Sequence, residues 1–360
     1  MGFGFGYSFP AIRGIQARKE YYVSMCPLNL ITKIFLFDDK EITPELRAQR
    51  VLAKNRVPEI ANYILKNRDN YTFSALTASI DGNVSFTPVQ DFDNIGSLKI
   101  DMNAKIIIND GQHRRAAIEA AMKECPDLAN ECIAVVFFLD QGMQRAQQMF
   151  SDLNQYSVKT SKSLSVLYDH RDPFAEVTRR LVLELAFLRN LVEFEKTSLA
   201  IRSRKLFTLS SVHNANLALL SDLRGAENQK SAVAISKQFW QCVYNNISDW
   251  QLVNEGEKLA SEVRENAVNS LGIILHALCI VGNCLLKTRK SSWQQDLVQL
   301  QKIDWSRKNV DLWKNRIMHH NRVSKSMKSV ILSSNIIKKQ LGIPLSNEEL
   351  NIELKFSKEL

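Results

Sequence analysis

The sequence predicts an α+β protein: a mixed sheet domain followed by a mainly helical one. Three observations carry that reading. Short runs rich in β-branched and aromatic residues recur up to residue 139, the most apolar being Cys132-Ile133-Ala134-Val135-Val136-Phe137-Phe138-Leu139. From Met143 onward apolar residues recur instead at helical spacing, over roughly 174–191, 210–223, 229–246, 264–286, 291–303 and 309–318. Residues 106–118 read in succession as strand, tight turn and small-residue helix. A chain of 360 residues is long enough for two cores, and the expected domains are 10–140 and 141–360.

Taken in order, the opening Gly2-Phe3-Gly4-Phe5-Gly6-Tyr7 is either an arm whose rings dock on a partner or a terminus held in the core. Residues 21–25 and 30–37 read as strands. Thr43 and Pro44 open one helix, and Pro58 another, with Ile60, Ala61, Ile64 and Leu65 on its apolar side. Arg47, Arg50, Lys54 and Arg56 crowd this helix pair. Residues 73–80 form a strand, and Asp81-Gly82-Asn83 is read as a hairpin turn into Val84-Ser85-Phe86. A second hairpin is expected at Asp101-Met102-Asn103, and the apolar run 132–139 should be a central strand. Past residue 140 the one stretch with strand character is Phe207-Thr208-Leu209.

The richest stretch is Asn109-Asp110-Gly111-Gln112-His113-Arg114-Arg115. It falls where a strand turns into a helix of small residues (Ala116, Ala117, Ile118, Ala120, Ala121). Free N–H groups and the helix dipole favour an anion at such a junction. Asp110, Gly111, Gln112, His113, Arg114 and Arg115 are therefore the candidate phosphate or nucleotide site, with the guanidiniums as bidentate clamps. An enzyme built here would use Asp110 as base and His113 as proton shuttle. The blander roles are a helix cap for Asp110 and a packing residue for His113.

Charge points to a polyanionic partner. The net charge is +9. Residues 287–340 hold thirteen basic residues against three acidic ones, the whole excess of the chain. The candidate DNA contacts there are Lys287, Arg289, Lys290, Arg307, Lys308, Lys314, Arg316 and Arg322. A shorter run, Lys196, Arg202, Arg204 and Lys205, has no acid within it and joins the candidate set. Trp293, Trp305 and Trp313, interleaved with the first run, are expected in the core. Asn154, Lys159, Thr160 and Ser161 suit either phosphate contacts or an ordinary helix cap.

Other classes are disfavoured. The six cysteines lack CxxC spacing, which argues against a zinc site or a disulfide framework. Cys26 reads as a buried thiol, with redox sensing as the alternative. No signal peptide opens the chain, and residues 271–286 are too short and polar for a membrane span. A cytoplasmic protein is expected.

Asp110-Gly111-Gln112-His113-Arg114 resembles the signature of the DGQHR-domain family. Further segments are similar to the DndB family of bacterial DNA phosphorothioation systems. They are Met25-Cys26-Pro27-Leu28, Arg47-Ala48-Gln49-Arg50, Asn62-Tyr63-Ile64-Leu65, Phe73-Ser74-Ala75-Leu76-Thr77-Ala78-Ser79, Phe150-Ser151-Asp152-Leu153-Asn154 and Asp304-Trp305-Ser306-Arg307. The resemblance implies a ParB/sulfiredoxin-like sheet domain whose glycine-led turn holds nucleotide phosphates, with ATP or a similar nucleotide as ligand. Gln112 stands where sulfiredoxins keep a cysteine and ParB proteins a glutamate, which favours binding over chemistry. The implied function is regulation of a DNA-modification gene cluster through double-stranded promoter DNA. The alternatives are a nucleotide hydrolase or DNA nickase, and a scaffold that meets other proteins of the sulfur-modification system.

Overall fold

The computed structural model describes residues 5–35, 56–139, 148–149, 152–153, 160–222, 229–289, 292–319, 322–323 and 326–358. The chain forms two compact units, Met1–Val158 and Lys159–Leu360. The mixed α+β class is as expected, with the sheet in the first unit and helices dominating the second.

Among the described residues the first unit has a seven-stranded mixed sheet and, packed with it, three α-helices of seven residues or more. The strands are β1 (Gly6–Gln16), β2 (Lys19–Pro27), β3 (Leu76–Asp81), β4 (Val84–Val89), β5 (Phe92–Asp101), β6 (Lys105–Asp110) and β7 (Cys132–Leu139). Their order is β4-β5-β1-β2-β7-β3-β6. Only β3 and β7 pair in parallel. The helices are α1 (Leu28–Ile34), α2 (Arg56–Lys66) and α3 (Gln112–Glu124). Alternate residues of the central strands, including Cys26, Leu76, Ala78, Leu98, Val135 and Phe137, share one core with Ile31, Ile64, Ala117, Ile118 and Ala121 of the helices. Ala117 and Ala121 are fully buried, so small side chains let α3 lie close to its neighbours. Phe9 of β1 packs on Phe137 and Tyr7 joins the same core, whereas Phe5 of the glycine-aromatic opening is exposed and residues 1–4 lie outside the described residues.

Three expectations are corrected. Residues 28–34 form a helix, not a strand: Leu28, Ile31 and Ile34 are buried at three-residue steps, a helical face that β-branched content disguised. Asp81-Gly82-Asn83 and Asp101-Met102-Asn103 are not hairpin turns. Strand β3 pairs with β6, and β4 with β5, so β3–β4 and β5–β6 form one long antiparallel ribbon bent at both tripeptides. Its two halves lie at opposite ends of the strand order. Gly82 permits the bend, since its φ is +150° and a Cβ there would sit 2.5 Å from the Cβ of Ala104. The hairpin proper turns at Gln90-Asp91, where Asp91 takes φ +71°. The expected helix at Thr43-Pro44 lies outside the described residues.

The second unit is helical. Its elements begin with α4 (Lys162–Tyr168), α5 (Pro173–Glu184), α6 (Ala186–Leu191), and the short parallel pair β8 (Val192–Glu193) and β9 (Phe207–Thr208). They continue with α7 (Leu209–Leu219), α8 (Gln229–Asn245), α9 (Ser248–Glu255), α10 (Ala260–Asn266), α11 (Gly272–Thr288), α12 (Trp293–Asp296) and α13 (Val310–Trp313). A two-residue pair, β10 (Met318–His319) and β11 (Arg322–Val323), precedes α14 (Met327–Gln340) and α15 (Asn347–Lys358), two helices that sequence periodicity missed. Helix α11 is apolar because it is the core: Ile274, Leu275, Ala277, Cys279, Val281 and Leu285 are all fully buried. Among the described residues no helix is long and apolar enough to cross a membrane. Trp293, Trp305 and Trp313 are core residues, as expected, and the last two stack at 5.8 Å. Ser161 proves to be an ordinary helix cap, accepting from the Leu164 amide.

Candidate phosphate-binding turn and basic surface

Strand β6 runs along the sheet edge into Gly111, which takes φ +103° and starts α3 without a side-chain cap. A Cβ on Gly111 would meet Leu76 Cδ2 at 2.4 Å, so only glycine fits this tight junction. The polar side chains that follow are largely committed to holding the junction together. Gln112 folds back and donates to the carbonyl of Ile108 at 3.1 Å. Arg114 pairs with Asp110 one helical turn earlier and donates to the carbonyls of Ser74 and Ala75 ahead of β3. Asn109, buried, donates to Ser79 Oγ at 2.5 Å. The turn thus ties two of the segments that suggested the family, around residues 73–79 and 110–114.

Arg115 leaves the set of candidate phosphate ligands. Its guanidinium is 8% exposed, pairs with Glu119 at 2.8 Å and donates to the Thr32 carbonyl at 3.0 Å, joining α3 to α1. Burial lowers its pKa, partly offset by Glu119. Arg115→Ala is expected to cost about 1–3 kcal/mol in thermal unfolding, the range for a buried hydrogen-bonded charge; an unchanged midpoint would overturn this structural role.

The groups at the turn that could meet an anion are the first-turn backbone of α3, Arg114, already paired with Asp110, and a neighbour the sequence could not place. The pKa of His113 is lowered by burial and by the charge of Arg56 on α2. Arg56 lies 57 positions from His113 in sequence, and no local pattern connects them. Asp110 neither caps the helix nor stands alone as a base, since it is paired with Arg114. Among the described residues no cluster of His, Cys, Asp and Glu could hold a metal ion. Cys26 is fully buried, and burial pushes its thiol up to about 12, as for a structural thiol.

The structure sorts the candidate DNA contacts into two groups. Several are used internally. Arg307 donates to the carbonyls of Arg264 and Ala267 at the end of α10. Arg316 forms a two-pronged pair with Glu353. Arg289 pairs with Asp296, and Lys205 donates to the carbonyls of Arg189 and Asn190 that end α6. These four are corrected from DNA contacts to structural ties: Arg289 and Arg316 are paired with acids, while Arg307 and Lys205 spend their N–H groups on backbone carbonyls. Lys287 meets Asp222 at 2.7 Å, but both are half exposed. Exposed cations form the second group: Lys196, Arg202, Arg204, Lys308 and Lys314. Lys290 lies outside the described residues, as does the Arg322 side chain.

Residues 304–309, which include the Asp304-Trp305-Ser306-Arg307 segment, form a clasp. Asp304 accepts from the Ser306 amide and from Asn309, while the Trp305 carbonyl accepts from the Val268 amide. Arg264, between the two basic runs in sequence, donates to the carbonyls of Ala200, Ile201 and Ser203. Through Arg264 and Arg307, α10 connects the loop 196–205 to Lys308, and basic runs about a hundred positions apart become parts of one framework.

A mixed sheet unit with a glycine-led strand-to-helix turn, followed by a helical unit that exposes a basic loop, defines a two-unit α+β protein. A family model described as DndB, DNA-sulfur modification-associated, matches residues 9–344. The chain belongs to the DndB family, which ties it to DNA sulfur modification. No curated protein and no solved structure matches it.

Proposed function

We propose that the protein binds double-stranded DNA and regulates transcription of a bacterial DNA phosphorothioation gene cluster. The observation that carries the reading is the exposed set Lys196, Arg202, Arg204, Lys308 and Lys314, beside Arg264 and Arg307, whose N–H groups are spent on backbone carbonyls. Cations left in solvent are the ones that can displace counterions from a duplex. Family membership supplies the link to DNA modification. The DGQHR turn, read as a relative of the ParB/sulfiredoxin turn, would hold a phosphate or nucleotide with its helix-start amides, Arg114 and Arg56. No specific observation favours a hydrolase or nickase, because Asp110 is engaged by Arg114.

The test is a mobility shift with the duplex upstream of the protein's own gene against a random duplex, from 50 to 200 mM salt. Five phosphate contacts predict a fall of roughly 10²- to 10³-fold in affinity across that range, together with preference for the upstream duplex. Equal binding of both duplexes would overturn the regulator. No shift with either would point to a protein partner in the sulfur-modification system.

A further inference from the structure

The loop 194–206, which joins β8 to β9, is unusual in how firmly it is held and in what it exposes. Lys205 Nζ fastens one end to the last carbonyls of α6, and Ser163 Oγ donates to the Lys196 carbonyl at 2.8 Å at the other. The Ser203 amide donates to the Ala200 carbonyl at 2.9 Å, closing a β-turn with Ile201 and Arg202 at its two central positions. Arg264 then clamps three carbonyls of that turn at 2.8–3.0 Å.

Turn centres favour Gly, Asn, Asp and Pro, and a β-branched apolar residue is a poor choice there on local grounds. Ile201 is nonetheless 87% exposed, the most exposed apolar side chain described in the helical unit. Exposed arginines, Arg202 and Arg204, follow it at one and three positions, and no acid occurs from Lys196 to Lys205. A lone exposed isoleucine needs no explanation. An isoleucine at the tip of a clamped turn, followed closely by two exposed arginines, has the chemistry of a DNA wedge. Such side chains enter the minor groove and partly unstack a base step, and basic residues beside them can hold the neighbouring backbone.

We propose that the turn 200–203 is a preformed DNA-bending element, with Ile201 as the wedge and Arg202 and Arg204 as its phosphate anchors. This rests on the reading that the protein binds duplex DNA, and adds to it a groove, a contact residue and a deformation. Because Arg264 orders the turn beforehand, little conformational entropy is lost when it docks.

The experiment uses the full chain and a 30-base-pair duplex carrying a fluorescence donor and acceptor at its ends, so that shift and bend are read together. Wild type is expected to bind and to shorten the end-to-end distance. Ile201→Ser should abolish the shortening and weaken binding about tenfold or more, with the salt dependence unchanged. Arg202→Gln with Arg204→Gln should reduce the slope of log affinity against log salt by about 1.8, the value for two phosphate contacts. All three side chains are exposed, and matching melting curves will show that the variants fold. If wild type binds but Ile201→Ser still bends the duplex with unchanged affinity, the wedge is overturned while the DNA-binding reading stands. If the double variant keeps the wild-type slope, the anchors are overturned. Absence of any wild-type binding would overturn both readings.

Discussion

Glu353→Ala is expected to destabilise the protein by about 3–5 kcal/mol, the cost of removing one partner from a buried ion pair. Glu353 sits on α15 with its side chain 11% exposed, against Arg316 at 15%. Both guanidinium nitrogens of Arg316 donate to it, at 2.7 and 2.9 Å, and Asn335 of α14 donates at 3.0 Å. The Arg316 guanidinium also lies 4.5 Å from the Phe356 ring centre. Without the carboxylate, a half-desolvated guanidinium loses its counter-charge, and α15 loses its ties to Arg316 and Asn335 through this side chain. Urea unfolding at pH 7 measures the effect; a loss below about 0.5 kcal/mol, the level of ordinary surface substitutions, would show that the network is ornamental.

The same network sets a pH dependence. Burial pushes the Glu353 carboxyl up, but hydrogen bonds from Arg316 and Asn335, with the charges of Arg316 and Lys339, outweigh it and hold the pKa below the usual range. Glu349 behaves alike, with burial opposed by Lys338 and Ser346. A folded pKa below the unfolded one means that the stabilisation is complete above the unfolded carboxylate value of about 4.3 and is lost as pH falls through the folded value. Wild type should therefore lose stability below about pH 4 more steeply than Glu353→Gln, whose amide cannot titrate.

Gly111→Ala is expected to cost about 2–5 kcal/mol, combining left-handed backbone strain of about 1–2 with overpacking of about 1–3. The φ of +103° is strained for any L side chain, and the new Cβ would lie 2.4 Å from Leu76 Cδ2. Leu76 is fully buried at the start of β3, so it has little room to withdraw. The measurement is thermal unfolding of the full chain, together with binding of a fluorescent ATP analogue. A variant as stable as wild type would mean that the junction relaxes freely, and the turn could not then be the fixed point on which Asp110, Arg114 and Ser74 converge.

Much of the candidate site was legible because its pattern is local. A strand, a glycine turn and a small-residue helix lie within a dozen positions, so residues 106–118 declared their own conformation. What the turn's side chains touch was not legible. Ser74 and Ala75, which receive Arg114, and Thr32, which receives Arg115, lie 40, 39 and 83 positions away. The basic run after Lys287 misled for the same reason. Its charges were counted along the chain, while Asp222, Glu349 and Glu353 reach four of them from outside the run.

By itself the sequence determined the fold class, the helix-rich second unit, the core role of the tryptophans and the place of the glycine turn. These depend on periodicity, composition and backbone freedom over a few residues, which any reading of the chain can reach. Only the tertiary structure decided that two turn-like tripeptides are bends in one ribbon, and which cations stay in solvent. Strand pairing and ion pairing depend on which distant segments meet, and a local pattern does not record that. The turn 200–203 shows the difference most plainly, since Arg264, sixty positions further on, makes a fixed surface element of it.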